Sequence, residues 1–124
     1  MNPNYLANLT PQQRLLQQRL IRKSQKTYEK SGEILERPKV SNKPTPRSPW
    51  VKRFEAKHGF PITDLEKVKK AYPNADVETI LKKGAGAYAS SGSRPNVSSY
   101  QWKFARLASA LLGGPAARID KDLL

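Results

Sequence analysis

The chain has 124 residues, with 23 Lys and Arg against 10 Asp and Glu, and so carries a formal net charge of +13. Only 37% of its residues are apolar and 10 are proline, which leaves room for one small core and makes part of the chain linker or tail. The absence of cysteine excludes disulfides, thiolate metal sites and thiol catalysis, and a single histidine, His58, argues against a His-rich metal site or a His–Asp pair.

The N-terminus, Met1-Asn2-Pro3-Asn4, lacks the basic patch and apolar block of a signal peptide. No apolar run approaches the roughly 18 residues of a membrane span. Thr10-Pro11-Gln12-Gln13 supplies an N-cap, a proline at the first helical position and a Gln in capping-box spacing. The spacing predicts a helix over 11–26, with Leu16 and Leu20 four apart on an apolar stripe, and Arg14, Arg19, Arg22 and Lys23 on the remainder. A helix so thinly apolar needs a surface to lie on. Glu33-Ile34-Leu35-Glu36-Arg37-Pro38-Lys39-Val40 reads as a short extended segment. The prolines at 44, 46 and 49 then bias their neighbours out of the helical region.

Residues 1–48 hold ten Lys and Arg against three acids, more than half of the charge excess. They read as a basic N-terminal arm and Pro-rich linker of the kind that orders on a polyanion or in a groove between subunits.

From Pro49 to Leu124 the pattern is that of a compact helical domain, so the expected fold class is all-α with an extended basic arm in front. Ser48 caps and Pro49 opens a helix in which Trp50, Val51, Phe54 and His58 share a side, and Gly59 ends it. Thr63-Asp64-Leu65-Glu66 is a second capping box, with Leu65, Val68 and Tyr72 inward. A third helix, capped by Asn74 and carrying Val77, Ile80 and Leu81, is expected to end at Lys82-Lys83 before Gly84. A Gly/Ser-rich loop follows over 84–98. Ser98-Ser99-Tyr100-Gln101 caps a fourth helix with Trp102, Ala105, Ala108, Leu111 and Leu112 inward, stopped by Gly113-Gly114-Pro115. The tail 116–124 adds one more turn and an apolar end.

The loop 84–98 is the most informative stretch. Its small residues can expose backbone N–H groups as an anion nest, with Arg94 gripping a phosphate or carboxylate and Arg106 approaching the same acidic group. The structural alternative has the glycines permitting close approach, Tyr88 plugging into the core, Arg94 bonding carbonyls, and Arg106 pairing with Asp76 or Asp120. Ser90, Ser91 and Ser93 have no nearby general base, and Asp64, Asp76, Asp120 and Asp122 lack metal-loop spacing. No catalytic, cofactor or metal residues are therefore nominated, and a non-enzymatic protein is expected.

The run Lys83-Gly84-Ala85-Gly86-Ala87-Tyr88-Ala89-Ser90-Ser91-Gly92-Ser93-Arg94-Pro95-Asn96, continuing into Ser99-Tyr100-Gln101-Trp102, Ala105-Arg106-Leu107-Ala108-Ser109-Ala110 and Gly113-Gly114-Pro115-Ala116-Ala117, resembles a small basic domain family. That family, functionally uncharacterised, is encoded by large double-stranded DNA viruses of algae and amoebae. It departs from this chain at two positions, with an aromatic where Ala89 stands and a lysine where Pro115 stands. The resemblance implies a virion protein, located in the capsid shell. It would be a minor capsid or cement component that bridges major and other minor capsid proteins through Leu16, Leu20, Ile34, Leu35, Arg94, Arg106, Leu123 and Leu124. The alternative is a DNA-binding or genome-packaging protein that uses the basic arm. Contact with an anionic inner membrane surface, without a transmembrane span, is a further expected partner.

Overall fold

Thr10 and Gln13 make the expected reciprocal capping box, Thr10 Oγ1 accepting from the Gln13 N–H and Gln13 Oε1 from the Thr10 N–H. The helix they open, α1 (Pro11–Ser31), runs five residues beyond the expected end and stops at Gly32, whose φ of +73° forms a left-handed cap. In the computed structural model, which describes residues 1–45 and 47–124, the remaining helices are α2 (Pro49–His58), α3 (Leu65–Ala71), α4 (Val77–Ser90), α5 (Ser99–Leu111) and α6 (Pro115–Ile119). Short 3₁₀ turns lie at Pro3–Leu6 and Lys121–Leu123. Among the described residues the fold is all-α, with no strand and no helix long and apolar enough to cross a membrane.

Contacts group the chain into two units, Met1–Pro46 with Ala85–Trp102 and Arg47–Gly84 with Lys103–Leu124. The first boundary falls two residues from the expected one at 48. Residues 85–102, expected inside the C-terminal domain, group instead with the N-terminal residues.

The second unit holds the larger apolar core. Phe54 on α2, Val68 on α3, Val77 and Ile80 on α4, and Phe104, Leu107 and Ala108 on α5 are buried together with Ile62 and Ala116. Several expected details hold along the chain from residue 48 on. Ser48 accepts from the Trp50 N–H, Gly59 ends α2 at φ +74°, and Ser98 and Gln101 exchange capping bonds before α5. Two caps differ. Asp64 rather than Thr63 accepts from the first turn of α3, and Asp76 rather than Asn74 caps α4 by accepting from the Thr79 N–H at 3.2 Å.

The chief correction concerns the Gly/Ser-rich loop expected over 84–98. Residues 84–90 are the second half of α4, so the connection to α5 is only residues 91–98. Gly84 is not a stop signal but a point of close approach. A Cβ there would stand 2.9 Å from the Lys103 Cα on α5, so the two helix backbones meet at a distance that only glycine allows.

The first unit is built differently. Its buried residues include Leu9, Ile21, Val40, Tyr88 and Ala89, but also Gln17, Ser24, Arg37 and Ser93. The inner side of α1 is therefore Gln17–Ile21–Ser24, and not the expected Leu16–Leu20 stripe. Leu15 and Leu16 are exposed, at 58% and 42%, and Leu20 is half-buried. Hydrogen bonding decides the helix rotation: the Gln17 amide donates to the Ser93 carbonyl and the Ser24 hydroxyl to the Ala89 carbonyl. Those acceptors repay polar burial and leave the leucines outside.

Candidate functional site

Three features of the molecule carry charge or polarity in an organised way. The first lies inside the N-terminal unit. Arg37, in the extended segment after α1, is 8% exposed. Its guanidinium donates to the Ser24 hydroxyl at 2.8 Å, the Tyr88 carbonyl at 2.8 Å and the Ser93 hydroxyl at 2.9 Å. It also lies over the Tyr88 ring, 3.7 Å from the centroid, a stacking that planar guanidinium favours. The Tyr88 hydroxyl in turn accepts from the Arg37 backbone N–H at 3.0 Å. Every contact is neutral. Burial pulls the Arg37 proton affinity down, opposed chiefly by Tyr88 and by neighbouring Glu36, while burial pushes the Tyr88 phenol up.

Asn96 completes this attachment. At φ +65° it occupies the left-handed region that asparagine tolerates better than most residues. Its Oδ1 accepts from the Val40 N–H at 2.8 Å, its amide donates to the Ser41 carbonyl, the Ser41 hydroxyl and the Lys43 carbonyl, and its own carbonyl accepts from Thr45. The Tyr88 to Asn96 stretch thus holds the segment 37–45 in place. It offers carbonyls and hydroxyls to a guanidinium from its own chain, which is the opposite polarity from an anion nest.

The second feature is the outer side of α1. Arg19, Arg22, Lys23, Lys26 and Lys30 recur along it every three or four residues, all exposed, with Leu15 and Leu16 at its N-terminal end. None of these five cations forms an ion pair among the described residues. The contrast with the C-terminal unit is sharp. All five ion pairs of the described residues lie there: Arg47–Glu55, Lys67–Asp64, Lys69–Glu78, Lys83–Asp120 and Arg106–Asp120.

The third feature is the fork of Arg106 on Asp120, with Nε–H to Oδ2 at 3.0 Å and Nη2–H to Oδ1 at 2.7 Å. Asp120 is fully buried. Burial opposes its charge, but Arg106 and Lys83 outweigh that and hold the carboxyl below its usual range.

The nominated partner residues fall into different situations. Leu16 and Leu124 are exposed, and Arg94 is exposed at the end of the Gly92-Ser93 turn. Leu20, Ile34 and Leu35 are half-buried. Leu123 packs against the C-terminal core, and its carbonyl accepts from the Asp76 N–H at 2.6 Å. Arg106 is committed to Asp120, so it is an internal anchor. The carbonyl-bonding arginine is Arg37, where the sequence suggested Arg94. Arg37, Ser24 and Asn96 went unnominated because burial of a lone arginine leaves no periodic mark. The one local clue is that Arg37 precedes a proline, which keeps it extended.

His58 is half-buried in an aromatic cluster, its Nε2 2.8 Å from the Tyr72 hydroxyl and its ring against Phe54 and Phe60. Trp50 packs on the C-terminal core, and Trp102 meets Tyr5 edge to face. No group of three or more His, Asp or Glu able to hold a metal occurs among the described residues.

No curated protein and no solved structure matches this chain. One family does, over nearly the whole length: the chain belongs to DUF5824, a family of unknown function, which it matches over residues 3–123.

Proposed function

We propose that this protein is a structural component of a large DNA virus particle, a minor capsid or cement protein that acts by attachment to its neighbours and not by chemistry. The observation that carries this reading is the outer side of α1. Its inner side is already occupied within its own unit, yet the outer side displays Leu15, Leu16 and five cations without ion pairs. Isolated exposed leucines are ordinary, but two adjacent ones at the head of a cationic helix make a surface fit for an acidic, partly apolar partner. In this reading residues 1–48 are the basic attachment segment, α1 is its amphipathic helix, and the C-terminal unit is the body. Leu124 and Arg94 add exposed contact points. The viral setting rests on the resemblance of the Gly84 to Asn96 run. Partners are major and other minor capsid proteins, and an anionic inner membrane surface would use the same cationic side.

A second reading, a DNA-binding or genome-packaging protein, is favoured by one specific observation. The exposed cations gather on one helix, where a cement protein has no need to gather them.

Fractionation of purified, nuclease-treated particles into shell, membrane and genome core tests the first reading. Recovery with the shell at fixed stoichiometry after a high-salt wash supports it. Release with the DNA core replaces it with the second reading, and absence from particles overturns it and leaves the basic segment to nucleic acid or a host partner.

A further inference from the structure

The cations of α1 have a regularity that net charge alone does not require. From Arg19 to Lys30 the helix rises about 16 Å, and within that length five cations stand on its exposed side against a single exposed acid, Glu29. Glu29 is the one acid on α1. One strand of a duplex presents a phosphate about every 3.4 Å of axial rise, so roughly five phosphates lie alongside the same length.

We infer that the outer side of α1 is a binding site for the phosphate backbone of a nucleic-acid duplex, through Arg19, Arg22, Lys23, Lys26 and Lys30. This rests on the second reading above, DNA binding, and names the residues and the part of the nucleic acid that meet. Two observations favour a duplex over the other anionic surfaces. A helix that lies on a membrane buries an apolar side and keeps its cations at the flanks. Here the cations run down the middle of the exposed side, and the only exposed apolar residues on the helix, Leu15 and Leu16, stand at one end with no aromatic beside them. The cores of protein interfaces are depleted in lysine, whereas three of these five residues are lysines and all five are free of ion pairs among the described residues.

The contacts would be to backbone and not to base edges, so the site gives affinity without sequence choice. Rigid presentation is supplied from the inner side, where Gln17 and Ser24 are hydrogen-bonded to the Ser93 and Ala89 carbonyls. The helix is therefore set in rotation before any partner arrives.

The test is the salt dependence of binding to a short random-sequence DNA duplex, followed by fluorescence anisotropy with the full chain. Each phosphate contact contributes about 0.9 to the slope of log K against log salt. The R19Q/K23Q/K30Q variant should therefore lose roughly 2 to 3 units of slope. A matched variant of three exposed cations in the C-terminal unit, K52Q/K70Q/K121Q, removes the same net charge and should leave the slope within about half a unit of wild type. All six side chains are exposed, and helical circular dichroism shows that both variants fold. Equal flattening by both variants overturns the inference, because binding then follows net charge. So does an unchanged slope in the α1 variant, or α1-dependent binding to phosphatidylserine vesicles with none to the duplex. Failure here, with the protein still recovered in the particle shell, removes the duplex as partner and leaves the structural role standing. Absence from particles removes that role and leaves the duplex result untouched.

Discussion

Arg37 shows how one side chain can organise a segment that has no regular structure of its own. The residues after α1 make no helix, and a guanidinium bonded to Ser24, Tyr88 and Ser93 secures them at one end while Asn96 secures them at the other. Replacing Arg37 by Met roughly keeps the volume but abandons three charge-assisted bonds, to the Tyr88 carbonyl and to the Ser24 and Ser93 hydroxyls, which retain only their bonds to the Ala89 and Arg94 carbonyls. Urea denaturation should show a loss of about 3 kcal/mol. Arg37→Lys should recover only part of it, since an ammonium cannot reach three divergent acceptors and stack at once. His58 makes a pH prediction. Burial first, and neighbouring Lys57 second, lower its proton affinity in the fold, and the groups around it are Phe54, Phe60 and the Tyr72 hydroxyl. The unfolded chain thus binds the proton first as pH falls, so stability is full above the usual imidazole range and declines as pH drops through it. Thermal melts at a series of pH values should show that decline, and His58→Asn should flatten it.

At the scale of elements, α4 gives the clearest test of how its glycines act. Gly84 and Gly86 both lie mid-helix, where alanine is the better helix former by about 1 kcal/mol. Their surroundings differ. A Cβ at 84 meets the backbone of α5 at Lys103, 2.9 Å away, whereas a Cβ at 86 meets the far end of the Tyr28 side chain, its hydroxyl at 2.8 Å. Backbone cannot step aside and a side-chain tip can. Gly84→Ala should therefore destabilise by about 1–3 kcal/mol in spite of the propensity gain, while Gly86→Ala should come out within about 1 kcal/mol of neutral. Paired denaturation curves decide it. The same reasoning explains why the sequence reads as a loop where the structure has a helix. Glycine signals a break when only local preference is considered, and a contact when a second helix is brought against it.

For the molecule as a whole, the balance of charge differs between the units. The N-terminal unit has ten Lys and Arg against three acids and no ion pair among its described residues, while the C-terminal unit has thirteen against seven and all five pairs. Four of those five pairs are substantially exposed on at least one side, and such pairs contribute about 0–1 kcal/mol each. Self-repulsion from a net +13 should outweigh them. The melting temperature should accordingly rise as salt is added from low to physiological ionic strength, where the screening length shortens to about 8 Å. A fall would mean that the ion pairs dominate.

Legible in neighbouring residues were the helical class, the starts of α1, α2 and α5, the glycine end of α2 and the inward sides of α2, α3 and the first half of α4. Each of these is written in residues a few positions apart: Thr10 with Gln13, Ser98 with Gln101, Phe54 with His58. On α5 the buried Phe104 and Leu107 were not among the residues expected inward. The tertiary structure alone decided that α4 passes through Gly84, that α1 turns Gln17 and Ser24 inward and its leucines outward, and that Arg37 is buried. Those outcomes depend on partners 19 to 76 residues away in the chain, such as Lys103 for Gly84, Tyr88 for Arg37 and Ser93 for Gln17. Local periodicity carries no record of a distant acceptor, and a buried polar group goes wherever that acceptor is found.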